Sequence, residues 1–273
     1  MRILSQRLLI LVGLLLCLSG FTHALIYATD FWLRGSEWEG PLSWRKPILF
    51  GLSTGVTALS LAWVWRHFPS RWGDAGFCFI LAISLFVEVA LISLQKWRGV
   101  PSHFNHETPF DDAISWIMTA LITVATLLIA LLTVYSFGRV YAPLTQIVAI
   151  RWGLVLLLVS CLIGAVIQTT GGSLFGTAGV LKFPHGMSIH AIQVLPILAW
   201  LLPRGATWAV HLAGSGYALL TVYALVQAFS GRARFDFTPT SGILLLFGAL
   251  LLIGSFTYAL MCGRLIRRRD PVE

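Results

Sequence analysis

Eight long apolar runs constrain the fold of this chain more than any other feature of its sequence. They cover approximately residues 8–28, 48–65, 76–94, 113–137, 152–168, 188–202, 206–229 and 240–263. A helix that crosses a bilayer needs roughly 20 predominantly apolar residues. The sixth run is short for a full crossing and needs an extra turn from the segment around His185. The sequence therefore predicts an all-α polytopic membrane helix bundle, with about eight transmembrane helices in a single transmembrane domain, 1–273.

The charged residues support this class of protein, because they are scarce and fall between the apolar runs. They make up only 11% of the chain, against about a quarter in a typical soluble domain, which excludes a soluble enzyme. A nucleic-acid binder concentrates Lys and Arg on one face or helix, so the net charge of +8 does not indicate such a partner. We expect a multi-pass protein of a cell membrane, the inner membrane in a bacterium, surrounded by lipid.

The first apolar run has an alternative interpretation as a signal peptide. Arg2 and Arg7 precede it, and Thr22-His23-Ala24 resembles a small-residue cleavage site. However, the run continues past this point through residues 25–27, whereas the apolar core of a signal peptide spans only about 7–15 residues. We expect a retained helix; a cleaved signal would leave seven.

Basic residues predict the orientation of the helices. With the N-terminus in the cytoplasm, eleven of the nineteen Lys and Arg residues fall on the cytoplasmic side, including the arginine-rich end of the chain. Cytoplasmic loops carry such an excess, so both termini are predicted to be cytoplasmic. The three longest connections, 29–47, 95–112 and 169–187, then lie outside, and we expect them to fold over an outer-face site. No internal repeat is evident in the sequence.

The loop 95–112 carries the densest group of polar side chains. Its candidate site residues are Gln95, Arg98, His103, Asn105, His106, Asp111 and Asp112, with the hydroxyl of Ser102 among them. Thr108-Pro109 reads as a helix start, with Thr as the cap and the two aspartates in the first turn. Asp111 and Asp112 therefore have two open interpretations, as capping or as functional residues. Capping does not account for His103, Asn105 or His106.

Glu88 is the most informative single residue, since it lies inside the third apolar run. A carboxylate at membrane depth is costly and usually faces a bundle interior or a water-filled cavity, where it serves a pathway or a site. Gln95, seven residues on, shares its helical face. The alternative is a buried carboxylate that only fixes helix packing.

A second polar cluster enters the sixth run. It contains His185, His190 and Gln193, of which the last two lie one helical turn apart. A histidine in a membrane helix also commonly makes a structural hydrogen bond to a neighbouring helix. Lys46, before the second run, either extends to lipid headgroups or binds an anionic group.

The histidines and carboxylates predicted on the outer side suggest a cofactor site. Imidazole and carboxylate groups suit a transition metal such as zinc, copper or iron, and two imidazoles suit haem b. The predicted metal ligands are His103, His106, His185 and His190; the predicted catalytic residues are Glu88, Asp111 and Asp112; the predicted cofactor-binding residues are Lys46, Gln95, Arg98, Asn105 and Gln193.

The functional hypothesis is a membrane metalloenzyme or haem-dependent oxidoreductase, active in redox chemistry or on a lipid- or quinone-like substrate. Two alternatives stay open. One is a proton-coupled transporter that uses Glu88. The other is an accessory or assembly protein that acts with other membrane subunits.

Overall fold

The computed structural model describes residues 2–40, 42–70 and 73–269, and for residues 2–5 and 263–269 it describes the backbone only. The helices in chain order are α1 (Arg2–Arg34), α2 (Arg45–Trp65), α3 (Asp74–Arg98), α4 (Pro109–Ser136), α5 (Leu144–Thr169), α6 (Lys182–Ile189), α7 (Ala191–Leu201), α8 (Thr207–Phe229) and α9 (Pro239–Arg269). Two short strands, β1 (Leu174–Phe175) and β2 (Gly179–Val180), pair antiparallel between α5 and α6.

Seven of the described helices, all except α6 and α7, are long and apolar enough to cross a membrane. The predicted all-α membrane helix bundle is thereby confirmed. The first of the seven, α1, continues without a break through the segment considered as a cleavage site. The orientation in the membrane stays a prediction; among the residues used for it, Arg71 and the side chains of Arg2 and the 264–269 segment lie outside the described part.

The sixth apolar run differs from expectation because it is not one continuous helix. The helices α6 and α7 have 8 and 11 residues and meet at His190. Ser188 Oγ donates to the carbonyl of Pro184 at 2.8 Å, a type of bond that bends helices. Pro196, inside α7, has no N–H to donate to the preceding turn. The Ser188 hydrogen bond and the missing donor of Pro196 thus lie on either side of this break, which hydropathy does not reveal.

The chain divides into two compact units, Met1–Leu128 and Ile129–Glu273, with the boundary inside α4. The N-terminal unit holds the connections 35–44 and 99–108, and the C-terminal unit holds the connection that contains the hairpin. The prediction that the whole chain is one domain, with its three outer loops over a common site, stays a prediction.

In the N-terminal unit, small residues bring α1 and α2 into close contact. A Cβ atom added to Gly51 would lie 2.7 Å from the Cα of Gly20, and one added to Gly55 would lie 2.8 Å from the carbonyl oxygen of Gly13. Small residues allow such close approach of membrane helices. A separate buried cluster joins Ile92 of α3 to α4, with Phe50 of α2 packed against it. The α3–α4 connection therefore joins two helices that pack against each other.

The C-terminal unit has its main core between α5, α7 and α8. Leu156, Leu195 and Ala213 are buried there, and a Cβ atom added to Gly153 of α5 would lie 2.8 Å from Ile192 Cδ1 of α7. The β1–β2 hairpin packs on the end of α8, where Ala178 N donates to the carbonyl of Gly231 at 3.0 Å.

A local motif occurs in both units where a helix ends in Gln-x-x-x-Gly. The carbonyl oxygens of Gln95 and Gln227 each accept from the N–H five residues later, at 3.1 and 3.0 Å. Gly99 and Gly231 adopt left-handed conformations, with φ of 72° and 66°. This is the Schellman arrangement that ends helices at glycine.

The next helix then begins at Thr-Pro in both units. Thr108 Oγ1 accepts from Asp111 N at 3.1 Å, and Thr238 Oγ1 accepts from Ser241 N at 3.2 Å. Both are N-caps with proline in the first helical position. The α3–α4 and α8–α9 junctions therefore share the same local structure, although we expected no repeat in the chain. The similarity depends on only a few polar positions. The apolar residues around them do not distinguish one helix from another.

Candidate functional site

The residues predicted at the start of α4 form a closed hydrogen-bond network around Asp111. Its Oδ1 atom accepts from Gln95 Nε2 at 2.9 Å and from Arg98 Nη1 at 2.5 Å, and its Oδ2 atom accepts from Thr108 Oγ1 at 2.6 Å. The Arg98 guanidinium also lies over the ring of Phe110, 4.7 Å from its centre. Because both carboxylate oxygens are engaged, this geometry supports a structural role for Asp111, which fastens the end of α3 to the start of α4.

A second network joins α2 to the same connection. Lys46 Nζ lies 3.2 Å from Ser102 Oγ, and Ser102 Oγ lies 2.9 Å from His103 Nδ1. The His103 ring lies against Phe50 of α2, with 5.7 Å between ring centres. The structure thus brings the predicted residues Lys46 and His103 together through a buried serine hydroxyl.

Asn105, the only asparagine in the sequence, carries a buried donor for which the described residues offer no acceptor. The residue is 4% exposed, and its Oδ1 accepts from Glu107 N at 3.2 Å. Its Nδ2 has no hydrogen-bond partner among the described residues. Leaving such a group unpaired costs about 1–3 kcal/mol, so this amide is suited to a ligand that offers an acceptor.

Glu88 lies on the buried face of α3, as the sequence predicted, and is 8% exposed. No hydrogen bond or ion pair of its carboxyl group occurs within the described part of the chain, where its buried neighbours on the same face are Ser84, Leu85 and Ile92. A helix-packing role would require a polar partner, so the structure leaves the functional interpretation open.

His106 and Asp112 form a separate pair at the surface. His106 Nδ1 lies 2.5 Å from Asp112 Oδ1, and the side chains are 55% and 46% exposed. Asp112 therefore does not join the Asp111 network, although the two aspartates are adjacent in the sequence.

The remaining predicted residues lie in the C-terminal unit, on α6 and α7. His185 Nδ1 donates to the carbonyl of Ser160 on α5 at 2.8 Å, and Ser160 Oγ donates to the carbonyl of His185 at 2.9 Å. This reciprocal contact supports the structural alternative for His185.

His190 and Gln193 make a local contact at the helix break. One end of the Gln193 amide lies 3.0 Å from the carbonyl oxygen of His190 and 3.3 Å from its ring Nδ1. Because a carbonyl only accepts, that end is the NH₂ group. Gln193 thus adds a side-chain hydrogen bond to the backbone at the break between α6 and α7.

Within residues 2–40, 42–70 and 73–269, no group of three or more His, Cys, Asp or Glu side chains is arranged to hold a metal ion. The four predicted ligands are divided between the two units, two in each. His23, in the C-terminal half of α1, uses both ring nitrogens: Nδ1 donates to the carbonyl of Ser19 at 2.8 Å, and Nε2 accepts from Trp97 Nε1 at 3.3 Å.

Ser102 was noted in the sequence as a neighbour of the candidate residues and was given no role of its own. Its position beside His103 was visible, but its link to Lys46 depends on how the connection folds onto α2. Comparisons of the chain with protein-family models, with curated proteins and with solved structures found no match.

Proposed function

We propose that the N-terminal unit of this multi-pass membrane protein binds a membrane-dissolved molecule that carries a carbonyl group, such as a lipid or a quinone. The observation that carries the proposal is the buried NH₂ group of Asn105, which has no acceptor among the described residues. Carbonyl oxygens are acceptors that such a donor recognises, and binding pockets use a few polar groups of this kind within apolar surroundings.

Nearby groups support the same chemistry. Lys46 and His103 add polar atoms to the connection, and Phe50 supplies an aromatic surface beside His103. Seven helices that are long and apolar enough to cross a membrane support a bilayer setting, in which amphipathic ligands are concentrated. The predicted binding role of Asn105 and Lys46 is part of this proposal.

The test measures stabilisation of the purified full-length protein by two probes, a short-chain diacyl phospholipid and a short-chain benzoquinone. A ligand that binds only the folded state raises the unfolding midpoint. We expect one probe to do so for the wild type, and Asn105→Leu to weaken binding about tenfold, since a lost buried hydrogen bond costs about 1–3 kcal/mol.

His106→Ala is the matched control, because His106 lies in the same connection but is exposed and paired with Asp112. It should leave probe binding unchanged. The proposal is overturned if neither probe stabilises the wild type, or if Asn105→Leu binds as tightly as the wild type.

A second candidate function is proton-coupled transport with Glu88 as the coupling group. The observation that favours it is the buried carboxyl group of Glu88, for which the described residues offer no hydrogen bond or ion pair. In vesicles loaded with a pH-sensitive dye, we expect the wild type to move protons and Glu88→Gln to abolish the movement. Wild-type vesicles that move no protons under any tested substrate gradient would contradict it.

A metal or haem centre that uses His103, His106, His185 and His190, with redox activity, stays a prediction from the sequence. The described residues provide no ready cluster for it. Stoichiometric zinc, copper or iron in the purified protein, or a Soret band in its visible spectrum, would establish it.

A further inference from the structure

The Ser102 hydroxyl in the α3–α4 connection has two polar neighbours, Lys46 and His103. An ammonium group only donates, so Ser102 Oγ accepts from Lys46 Nζ at 3.2 Å. Ser102 Oγ also lies 2.9 Å from His103 Nδ1, and it donates its hydrogen to this atom when the imidazole proton is on Nε2. A hydroxyl that donates to an imidazole while a third group orients it is the arrangement of an activated nucleophile and its base.

The backbone next to this pair is strained. Phe104 has φ of 57° and is the only non-glycine residue with positive φ in the described part of the chain. The left-handed conformation is unfavourable for a residue with a side chain. Such strain persists only where the surroundings impose it, and it clusters at active sites. Here it separates His103 from Asn105.

Asn105 carries a hydrogen-bond donor of the kind that an acyl-transfer site needs. Its Nδ2 is a buried donor without a described partner, three residues after Ser102. Acyl transfer requires donors for the oxygen that becomes negatively charged when a nucleophile attacks a carbonyl group. An unpaired amide costs stability in the free protein, and an oxyanion would remove that cost.

We propose that Ser102 is the nucleophile of an acyl-transfer reaction on the carboxylic ester of a lipid-like molecule, with His103 as the base and Asn105 as a donor to the oxyanion. Lys46 is a positioning residue that orients the Ser102 oxygen. The inference rests on the proposed function, because it requires that the same site bind a carbonyl-bearing molecule from the bilayer.

The reaction balances without a redox partner. Ser102 Oγ forms a bond to the ester carbonyl carbon while its proton passes to His103 Nδ1. The bond from that carbon to the leaving alcohol breaks, and the His103 proton passes to the alcohol oxygen. Water then attacks the acyl-Ser102 ester, giving a proton to His103; the carbon–Oγ bond breaks, and the proton returns to Ser102.

The test treats the purified full-length protein with a fluorophosphonate probe, which forms a stable adduct with activated serines, and locates the adduct by peptide mass spectrometry. We expect labelling of Ser102, its loss in Ser102→Ala, and a decrease of at least tenfold in His103→Gln. Ser36→Ala is the matched control, since Ser36 also lies in a connection but donates to Asp30, and it should keep wild-type labelling.

A pH profile separates a base from a merely structural histidine. The wild-type labelling rate should rise with pH as the imidazole loses its proton, and His103→Gln should remove this dependence. If Ser102→Ala does not fold, Ser102→Cys provides a second test. Its thiol should react with iodoacetamide at least tenfold faster than the native cysteines of the same protein.

The outcomes also separate this inference from the proposed function. Probe binding that depends on Asn105, without labelling of Ser102, would overturn the acyl-transfer step and leave the binding site intact. Absence of both binding and labelling would overturn both. Labelling of a different serine, or a Ser102→Cys thiol no more reactive than the native cysteines, would also overturn the inference.

Discussion

At the scale of single residues, Asp111 is predicted to contribute most to the stability of the α3–α4 junction. Asp111→Asn keeps the size of the side chain but replaces a carboxylate that accepts from Gln95, Arg98 and Thr108. Because hydrogen bonds to charged groups contribute about 1.5–3 kcal/mol, we expect a loss of about 2 kcal/mol in the free energy of unfolding. Thermal unfolding of the purified protein in detergent measures it.

Asp112→Asn is the control for this prediction, since Asp112 is about half exposed and pairs only with His106 among the described residues. Exposed ion pairs contribute about 0–1 kcal/mol, so its unfolding midpoint should stay near the wild-type value. Equal effects of the two substitutions would show that the network around Asp111 does not hold the junction.

The same residues show how far sequence reasoning extends at this scale. Gln95, Arg98 and Asp111 could be predicted as one group, because they flank a short connection between two helix ends. The unpaired amide of Asn105 and the positive φ of Phe104 could not be predicted, because both depend on the exact path of the connection. His185 was predicted as a ligand, but its contact with Ser160 favours interhelical bonding.

At the scale of secondary-structure elements, both Thr-Pro helix starts should stabilise the protein, and the start of α4 should contribute more because Thr108 Oγ1 also donates to the Asp111 carboxylate. Thr108→Ala and Thr238→Ala each remove an N-cap acceptor, from Asp111 N and Ser241 N. Loss of an N-cap typically costs about 1 kcal/mol, so Thr238→Ala should lose about that much, and Thr108→Ala should lose more. The double variant should lose the sum of the two, since distant sites add. Differential scanning calorimetry or thermal unfolding of the three variants tests this.

Thr123→Ala serves as the control, because Thr123 lies exposed within α4 and its hydroxyl donates only to the preceding turn, at Thr119 O. We expect a change within about 0.5 kcal/mol. A Thr238→Ala protein as stable as the wild type would show that this N-cap does not stabilise the start of α9.

The positions of most helices could be predicted from hydropathy. A long apolar run in a bilayer has no water to bond with, and a helix satisfies its backbone hydrogen bonds within the segment. The sixth apolar run is the exception, because it forms two helices, α6 and α7, that meet at His190. Average hydropathy does not record where a backbone breaks. Ser188 adds one side-chain hydrogen bond before the break, and Pro196 removes one backbone donor from α7. The repeated junction was likewise hidden in a few polar positions.

At the scale of the whole molecule, the broken pair α6–α7 decides the topology. If the pair crosses the membrane once, the chain makes eight crossings, and the connection between α8 and α9 faces the outside. If the pair stays on one side, that connection faces the cytoplasm and the arginine-rich C-terminus lies outside. The excess of basic residues in cytoplasmic segments favours the first arrangement, so we predict eight crossings.

Cysteine labelling with a membrane-impermeant maleimide tests this topology in intact cells, with the wild type as the background for its native thiols. His106→Cys, in the α3–α4 connection, and Arg234→Cys, between α8 and α9, replace exposed residues and should both react from outside. Tyr141→Cys, between α4 and α5, also replaces an exposed residue and should react only after permeabilisation. If Arg234→Cys reacts only after permeabilisation while His106→Cys reacts in intact cells, the pair α6–α7 does not cross the membrane. Only the crossings of α5 and α8 would then separate the α8–α9 connection from the α4–α5 connection, so both connections would lie on the same side.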